Sequence, residues 1–277
     1  MIFVTGATGN VGGELVKALA AAGVPVRALI RHDEDRGRLP GGAEGYVGDL
    51  NRPETLVDGL AGVRGAHLLA GYDNLPELLR EMKSAGVERV VLQSSSAAPG
   101  GDTSNAVARY HIESEAAIRA SGLAWTFLQP NAFMSNALRW LPQLREGDVV
   151  RETFPDVPIS VIDPADIAAV SMAALTSDGH AGRSYRLSGP EALLPAERVA
   201  ILGRAIGREL RFEGYTDEEA RGLMEAEMPI EYVEAFFDFY VDGSIDETTL
   251  HPTVEEVLGR PPVSFEQWAT AHADEFR

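Results

Sequence analysis

Hydrophobic positions in the first 130 residues cluster in short runs separated by longer amphipathic stretches. The runs IFVT, VPVRALI, EGYVGDL, AHLLAG, RVVLQSS and WTFLQP read as buried strands, and GGELVKALAAAG and NLPELLREMKSAG carry apolar residues at helical spacing. Strands that alternate with helices imply parallel pairing through right-handed crossovers, and hence an α/β fold with a doubly wound parallel sheet. After Pro130 the rhythm loosens. DPADIAAVSMAALTS predicts a helix, RSYRLSG a strand and LPAERVAILGRAIG a further helix, before an acidic, aromatic-rich region. The expected organisation is a sheet-forming core over residues 1–130 and a smaller α/β C-terminal lobe over 131–277, interleaved with the core. A cleft between them would lie at the C-terminal ends of the strands, where open parallel sheets bind ligands.

Composition narrows the partners. The 277-residue chain is 45% hydrophobic, enough for a sizeable core, and carries a formal net charge of −18. That charge repels nucleic-acid backbones and anionic membranes, and no Lys/Arg-rich run offers a local exception, so neither partner is expected. There is no cysteine, which excludes disulfides, a thiolate nucleophile and thiolate-bound zinc. The six histidines show no metal-ligand spacing and no HExxH occurs, so no metal is expected. The start MIFVTGATG lacks a basic flank and reaches glycine too soon for a signal sequence, and no run approaches the ~20 apolar residues of a membrane span. A cytoplasmic monomer or homodimer is the expectation.

VTGATGNVGGELVKAL places Gly6, Gly9 and Gly12 at GxxGxxG spacing between a strand and a helix. Glycines permit a tight turn and close backbone approach to a diphosphate, while the helix start supplies free N–H groups and a favourable dipole. Gly6, Thr8, Gly9, Asn10, Val11 and Gly12 are therefore cofactor-binding candidates. At the end of the second strand an Asp or Glu would bind the ribose hydroxyls of NAD. Arg31 and His32 stand there instead, a pair able to face the extra phosphate of NADP, although Asp33 follows closely. NADP(H) is favoured over NAD(H). Asp49 and Leu50 in GDL are candidates for the adenine, with helix capping as the alternative for Asp49. Ala70 and Gly71, closing AHLLAG, join the cofactor set.

These segments, with VERVVLQSSSA, ESEAAIRASGLAWTFLQPNAFMSN, DPADIAAV and LGRPPVSFEQWATAHADEF, resemble the NmrA-like branch of the atypical short-chain dehydrogenase/reductases. The resemblance runs over nearly the whole chain. It implies a Rossmann fold that binds NAD(P), and an activity among NADPH-dependent reduction of a quinone or related aromatic carbonyl compound, an oxygenating step on a polyphenol, or redox sensing without turnover. It further implies that Pro130, Asn131 and Phe133 border the nicotinamide.

Typical short-chain dehydrogenases place a lysine four residues after a tyrosine to lower the phenol pKa. Here Tyr110 is followed by Ser114, and Glu113 opposes such a shift. Either Tyr110 or His111 serves the proton at the nicotinamide end, or both are packing residues. In QSSSAAPG, Ser95 is the candidate to polarise a substrate carbonyl and Ser94 to contact the nicotinamide end, with Ser96 and a plain turn as alternatives. Asp163 and Asp166 in DPADIA fit a helix start. The stripe Tyr232, Phe236, Phe237 and Tyr240 suits either core or a flat aromatic substrate.

Overall fold

The computed structural model describes residues 1–277. Nine strands form: β1 (Ile2–Val4), β2 (Val26–Ile30), β3 (Ala43–Val47), β4 (Gly65–Leu69), β5 (Arg89–Gln93), β6 (Ala124–Pro130), β7 (Val149–Glu152), β8 (Arg183–Leu187) and β9 (Arg211–Gly214). Ten α-helices accompany them: α1 (Asn10–Ala21), α2 (Leu75–Ser84), α3 (Ala106–Ser121), α4 (Leu141–Glu146), α5 (Pro164–Thr176), α6 (Pro195–Ile206), α7 (Asp217–Glu227), α8 (Ile230–Tyr240), α9 (Thr253–Leu258) and α10 (Phe265–Ala271). Seven strands pair in parallel in the order β3-β2-β1-β4-β5-β6-β8, the reversal beside β1 being the switch point of a Rossmann sheet.

Each face of the sheet carries its own core. On one side Leu15, Val16 and Leu19 of α1 and Ile167, Val170 and Leu175 of α5 pack with Val4, Ala28 and Val91. On the other, Leu78, Leu79 and Met82 of α2 and Ile118 of α3 pack with Phe3, Leu68, Leu92 and Phe127. Local signals set the helix ends. The Asn105 side chain accepts from Val107 N and Ala108 N to start α3, and Asp163 accepts from Ala165 N ahead of Pro164 to start α5. Asp166 is fully buried, accepts from Val263 N at 2.7 Å and pairs with Arg260 at 2.6 Å. Both acids of DPADIA are thus structural.

Residues beyond 130 do two things. α5, β8 and α9 return to the sheet, while a parallel pair β7–β9 and helices α4, α6 and α10 close around Trp140, Phe265 and Trp268. Past the C-terminal end of β5, α8 packs on Ala97, and past β6 the second core takes in Met134 and Ala137. No helix is long and apolar enough to cross a membrane.

Candidate active site

At the glycine turn, Gly6 adopts φ +62°, and Gly9 N–H donates to the Gly6 carbonyl at 2.9 Å. A Cβ on Gly12 would overlap the Gly6 carbonyl oxygen and lie 2.6 Å from its carbon. Gly9 stands at the N-cap of α1 without a side-chain cap, and the first turn holds no acid, so the N–H groups of Asn10, Val11 and Gly12 meet no acceptor within the chain. Such a cradle fits a diphosphate. Thr8 offers its carbonyl to Arg38 at 3.2 Å, and the Asn10 amide donates to Ser135 Oγ at 3.0 Å, tying the turn to the lobe.

After β2 the charges are mixed, and one arginine is left over. Arg31 and His32 are exposed, and Arg31 makes no ion pair. Asp33, the residue that could have mimicked an NAD pattern, pairs with Arg36 at 2.6 Å, and Asp35 pairs with Arg38 at 3.2 Å. The sequence reading missed Arg36 and Arg38, although their i,i+3 spacing from two acids in DEDRGR signalled a charged turn. Asp49 caps its own loop by accepting from Asn51 N. Leu50 is drawn into the core with Leu29 and Leu56.

At the opposite end Gly71, φ +91°, lies against Tyr110, since a Cβ there would sit 3.3 Å from the ring. Ser114 accepts from Gly71 N at 3.1 Å and donates to the Tyr110 carbonyl at 2.7 Å. It fastens α3 to the loop after Ala70. Burial, reinforced by Tyr232, pushes the Tyr110 phenol above its usual range. His111, 4.2 Å from Tyr110 between ring centroids, is held down to about 4 by burial and is neutral at pH 7.

The strand-end serines and Asn131 find partners within the chain. Ser94 does not face the cleft: it is buried and donates to Glu115 Oε1 at 2.7 Å, an acid that Gln129 and Arg119 also engage. A buried carboxylate needs such donors. Ser95 is half-buried and accepts from Ala97 N. Asn131, after Pro130 at the end of β6, is 2% exposed and donates to Ser160 and to the Glu247 carbonyl. Phe133 packs against the α1–α5 core.

Glu247 itself was missed by sequence reading. Its buried carboxylate accepts from Ser96 Oγ at 2.8 Å, Ala132 N at 2.9 Å and the Tyr240 hydroxyl at 3.0 Å. Tyr240 stands beside Phe154 and Phe236, with ring centroids 5.1 and 6.3 Å away. Phe154 is the one non-glycine residue with positive φ, at 53°, a strained conformation of the kind that clusters at ligand sites. A separate cavity of about 420 Å³ between the start of α3 and helices α7 and α8 is edged by Glu231, Glu234, Asp238 and Asp242. Its acids oppose an anionic cofactor, and the glycine turn is no part of it.

A profile of the NAD(P)H-binding family matches residues 6–178. The chain belongs to the NAD(P)H-binding family. Within it the chain is an NAD(P)H-dependent oxidoreductase, in line with the reductases that it matches over nearly their whole length. It is 39% identical over 280 residues to the (4-alkanoyl-5-oxo-2,5-dihydrofuran-3-yl)methyl phosphate reductase of Streptomyces griseus, covering 100% of this chain and 99% of that protein. It is 35% identical over 287 residues to the NAD(P)H azoreductase of Xenophilus azovorans, with the same coverage. The fold matches the NADPH complex of an NADPH-dependent quinone oxidoreductase from Escherichia coli with a TM-score of 0.79, at 23% identity and 98% and 99% coverage.

One turn after Tyr110 stands Ser114, where typical short-chain dehydrogenases carry a lysine, so no cation lies beside the phenol in the helix. Tyr110→Phe should therefore lower kcat/KM by less than about tenfold, well short of the 10²-fold or more that a positioned acid contributes. Steady-state kinetics with NADPH binding as a folding control measure this. A hundredfold loss in a folded, cofactor-binding variant would make Tyr110 the acid.

Proposed function

We propose that the protein uses NADPH to reduce a flat, conjugated acceptor, a quinone or related aromatic carbonyl compound or an unsaturated lactone. The observation that carries this reading is the lack of an activated acid at the hydride end. Tyr110 is shifted upward, His111 is neutral, and Ser94 and Ser96 are committed to Glu115 and Glu247. When bound, NADPH supplies a hydride. An acceptor whose oxygen becomes a stabilised enolate or phenolate takes its proton from water and needs no dedicated residue. A ketone without conjugation would need one.

The chain's own contribution is binding and orientation. The N–H groups of Asn10, Val11 and Gly12 would hold the diphosphate, and Arg31 the 2′-phosphate. Phe154, Phe236 and Tyr240 form an aromatic wall for a planar acceptor. The names of the two curated relatives agree: one reduces an acyl-substituted unsaturated lactone carrying a phosphate, the other an azo compound.

The test is NADPH oxidation with a panel of quinones, acyl butenolides and unconjugated ketones. Turnover of conjugated members alone is expected, and ketone reduction at comparable kcat/KM would overturn the reading. In the same assay Arg31→Ala should erase a preference for NADPH over NADH of at least about tenfold, the worth of one charge-assisted contact. A preference that survives the change would place the 2′-phosphate on Arg36 or Arg38.

A further inference from the structure

Arg198 of α6 is the only lysine or arginine among the buried residues, at 8% exposure. Its guanidinium makes no ion pair and donates no hydrogen bond within the chain, and its Nε is sealed from water without a partner. A guanidinium in that position carries a desolvation cost that no ion pair or hydrogen bond within the chain offsets. Its neighbours explain why. Glu152 and Glu247 lie within electrostatic reach but face other donors. Glu152 accepts from Trp140 Nε1 at 2.7 Å, and Glu247 from Ser96, Ala132 and Tyr240. The other charge near Tyr240 is Arg139, exposed and likewise without an acid partner. In a chain of net charge −18 with fourteen ion pairs, Arg198 and Arg139 are both left without an acid partner, and both lie within electrostatic reach of Tyr240.

Its location ties it to the acceptor. Arg198 lies within electrostatic reach of Tyr240, whose hydroxyl bonds Glu247, which in turn bonds Ser96 and Ala132 just beyond the ends of β5 and β6. Strand ends of this kind are where such sheets bind their ligands. Phe154 leans over the same tyrosine. One side of the site is aromatic, and the other offers a planar fork of unused N–H donors suited to the paired oxygens of a phosphate.

We propose that Arg198, assisted by Arg139, binds the phosphate group of a phosphorylated acceptor, so that the protein selects phosphate monoesters of conjugated carbonyl compounds over the parent alcohols. The turnover arm of this proposal rests on the reductase reading above, but the binding arm does not.

The experiment uses protein saturated with NADP⁺, which fills the cofactor's own phosphate site. A hydroxymethyl-substituted unsaturated lactone and its phosphate monoester are each titrated calorimetrically. The wild type should bind the ester at least about 30-fold more tightly, a factor in the range of one charge-assisted, bidentate contact. In Arg198→Met, an apolar side chain of similar reach, the ratio should fall to near one, and Arg198→Lys should retain part of it, with circular dichroism and NADPH binding as folding controls. Equal wild-type affinities for ester and alcohol overturn the proposal even if the methionine variant does not fold. An undiminished ratio in a folded Arg198→Met overturns it as well. The ratio of kcat/KM for the two lactones should follow the ratio of affinities. If neither is turned over while Arg198-dependent binding persists, the reductase reading fails and the anion site stands. Turnover of both at equal kcat/KM sinks the anion site alone.

Discussion

Gly12→Ala is expected to weaken NADPH binding by at least about 100-fold, the scale on which a misplacement of about 1 Å acts in a preorganised site. The added methyl would meet backbone, not a pliable side chain: the Gly6 carbonyl carbon at 2.6 Å and the Thr5 carbonyl oxygen at 2.9 Å. The turn must open or the helix start must withdraw, and either displaces the N–H groups that receive the diphosphate. Overpacking of this kind costs about 1–3 kcal/mol of stability as well. Gly13→Ala is the control. Its Cβ would lie 3.6 Å from the Ala7 carbonyl oxygen, an ordinary contact, and alanine in a helix interior is favoured over glycine by up to about 1 kcal/mol. Fluorescence titration and thermal melts on both variants separate the effects. Full affinity in Gly12→Ala would mean that the diphosphate is not held at this turn.

The second large effect is expected at Glu247. Glu247→Leu strips the acceptor from Ser96 Oγ, Ala132 N and the Tyr240 hydroxyl together. Buried donors left without partners cost about 1–3 kcal/mol each, so a loss of about 3 kcal/mol or more should appear in denaturant unfolding at pH 7. Glu247→Gln should lose less, because one acceptor oxygen remains. The pH dependence has a definite sign. Burial raises the folded carboxyl above its ordinary 4.5, so the folded state binds the proton more tightly than the unfolded one. Stability from this group is fully present below about 4.5 and is lost as pH rises through the folded value. The wild type should thus gain on Glu247→Gln as pH falls toward 4.5. A constant difference between the two from pH 8 to pH 4.5 would show that Glu247 keeps an ordinary pKa.

Local patterns made the cofactor half legible. The glycine spacing, the strand before it and the helix after it are neighbours in sequence, so their juxtaposition follows from short-range rules. The missing cation at Ser114 was legible too, one turn along a single helix. The acceptor half was not. Glu247 reaches Ser96 and Ala132 from a loop near the end of the chain, and nothing in GSIDETTL marks one of its two acids as buried. In fact Asp246 is exposed and held by Thr248 and Thr249, while its neighbour enters the core. Arg198, in PAERVAILGRAI, falls among charged positions that would suit a solvated face. Ser94 was misplaced because a strand-end serine looks the same in sequence whether it faces a ligand or a buried acid on α3.

The return of β8 to the sheet has a consequence for how the molecule is made. Thr126 of β6 pairs with Arg183 of β8, and Val254 of α9 is fully enclosed in the core of the α1–α5 face. While the ribosome is still adding residues between them, β6 remains an unpaired edge and that face lacks its last apolar cover. Loop closure over such a span is slow compared with the local contacts of the first βαβ units. The nascent cofactor turn can therefore form early, but the sheet that steadies it is finished only once β8 has emerged, and its α1–α5 face is covered only once α9 has. In that interval an exposed parallel edge is open to pairing with other chains, which makes β6 the strand from which aggregation during synthesis would start.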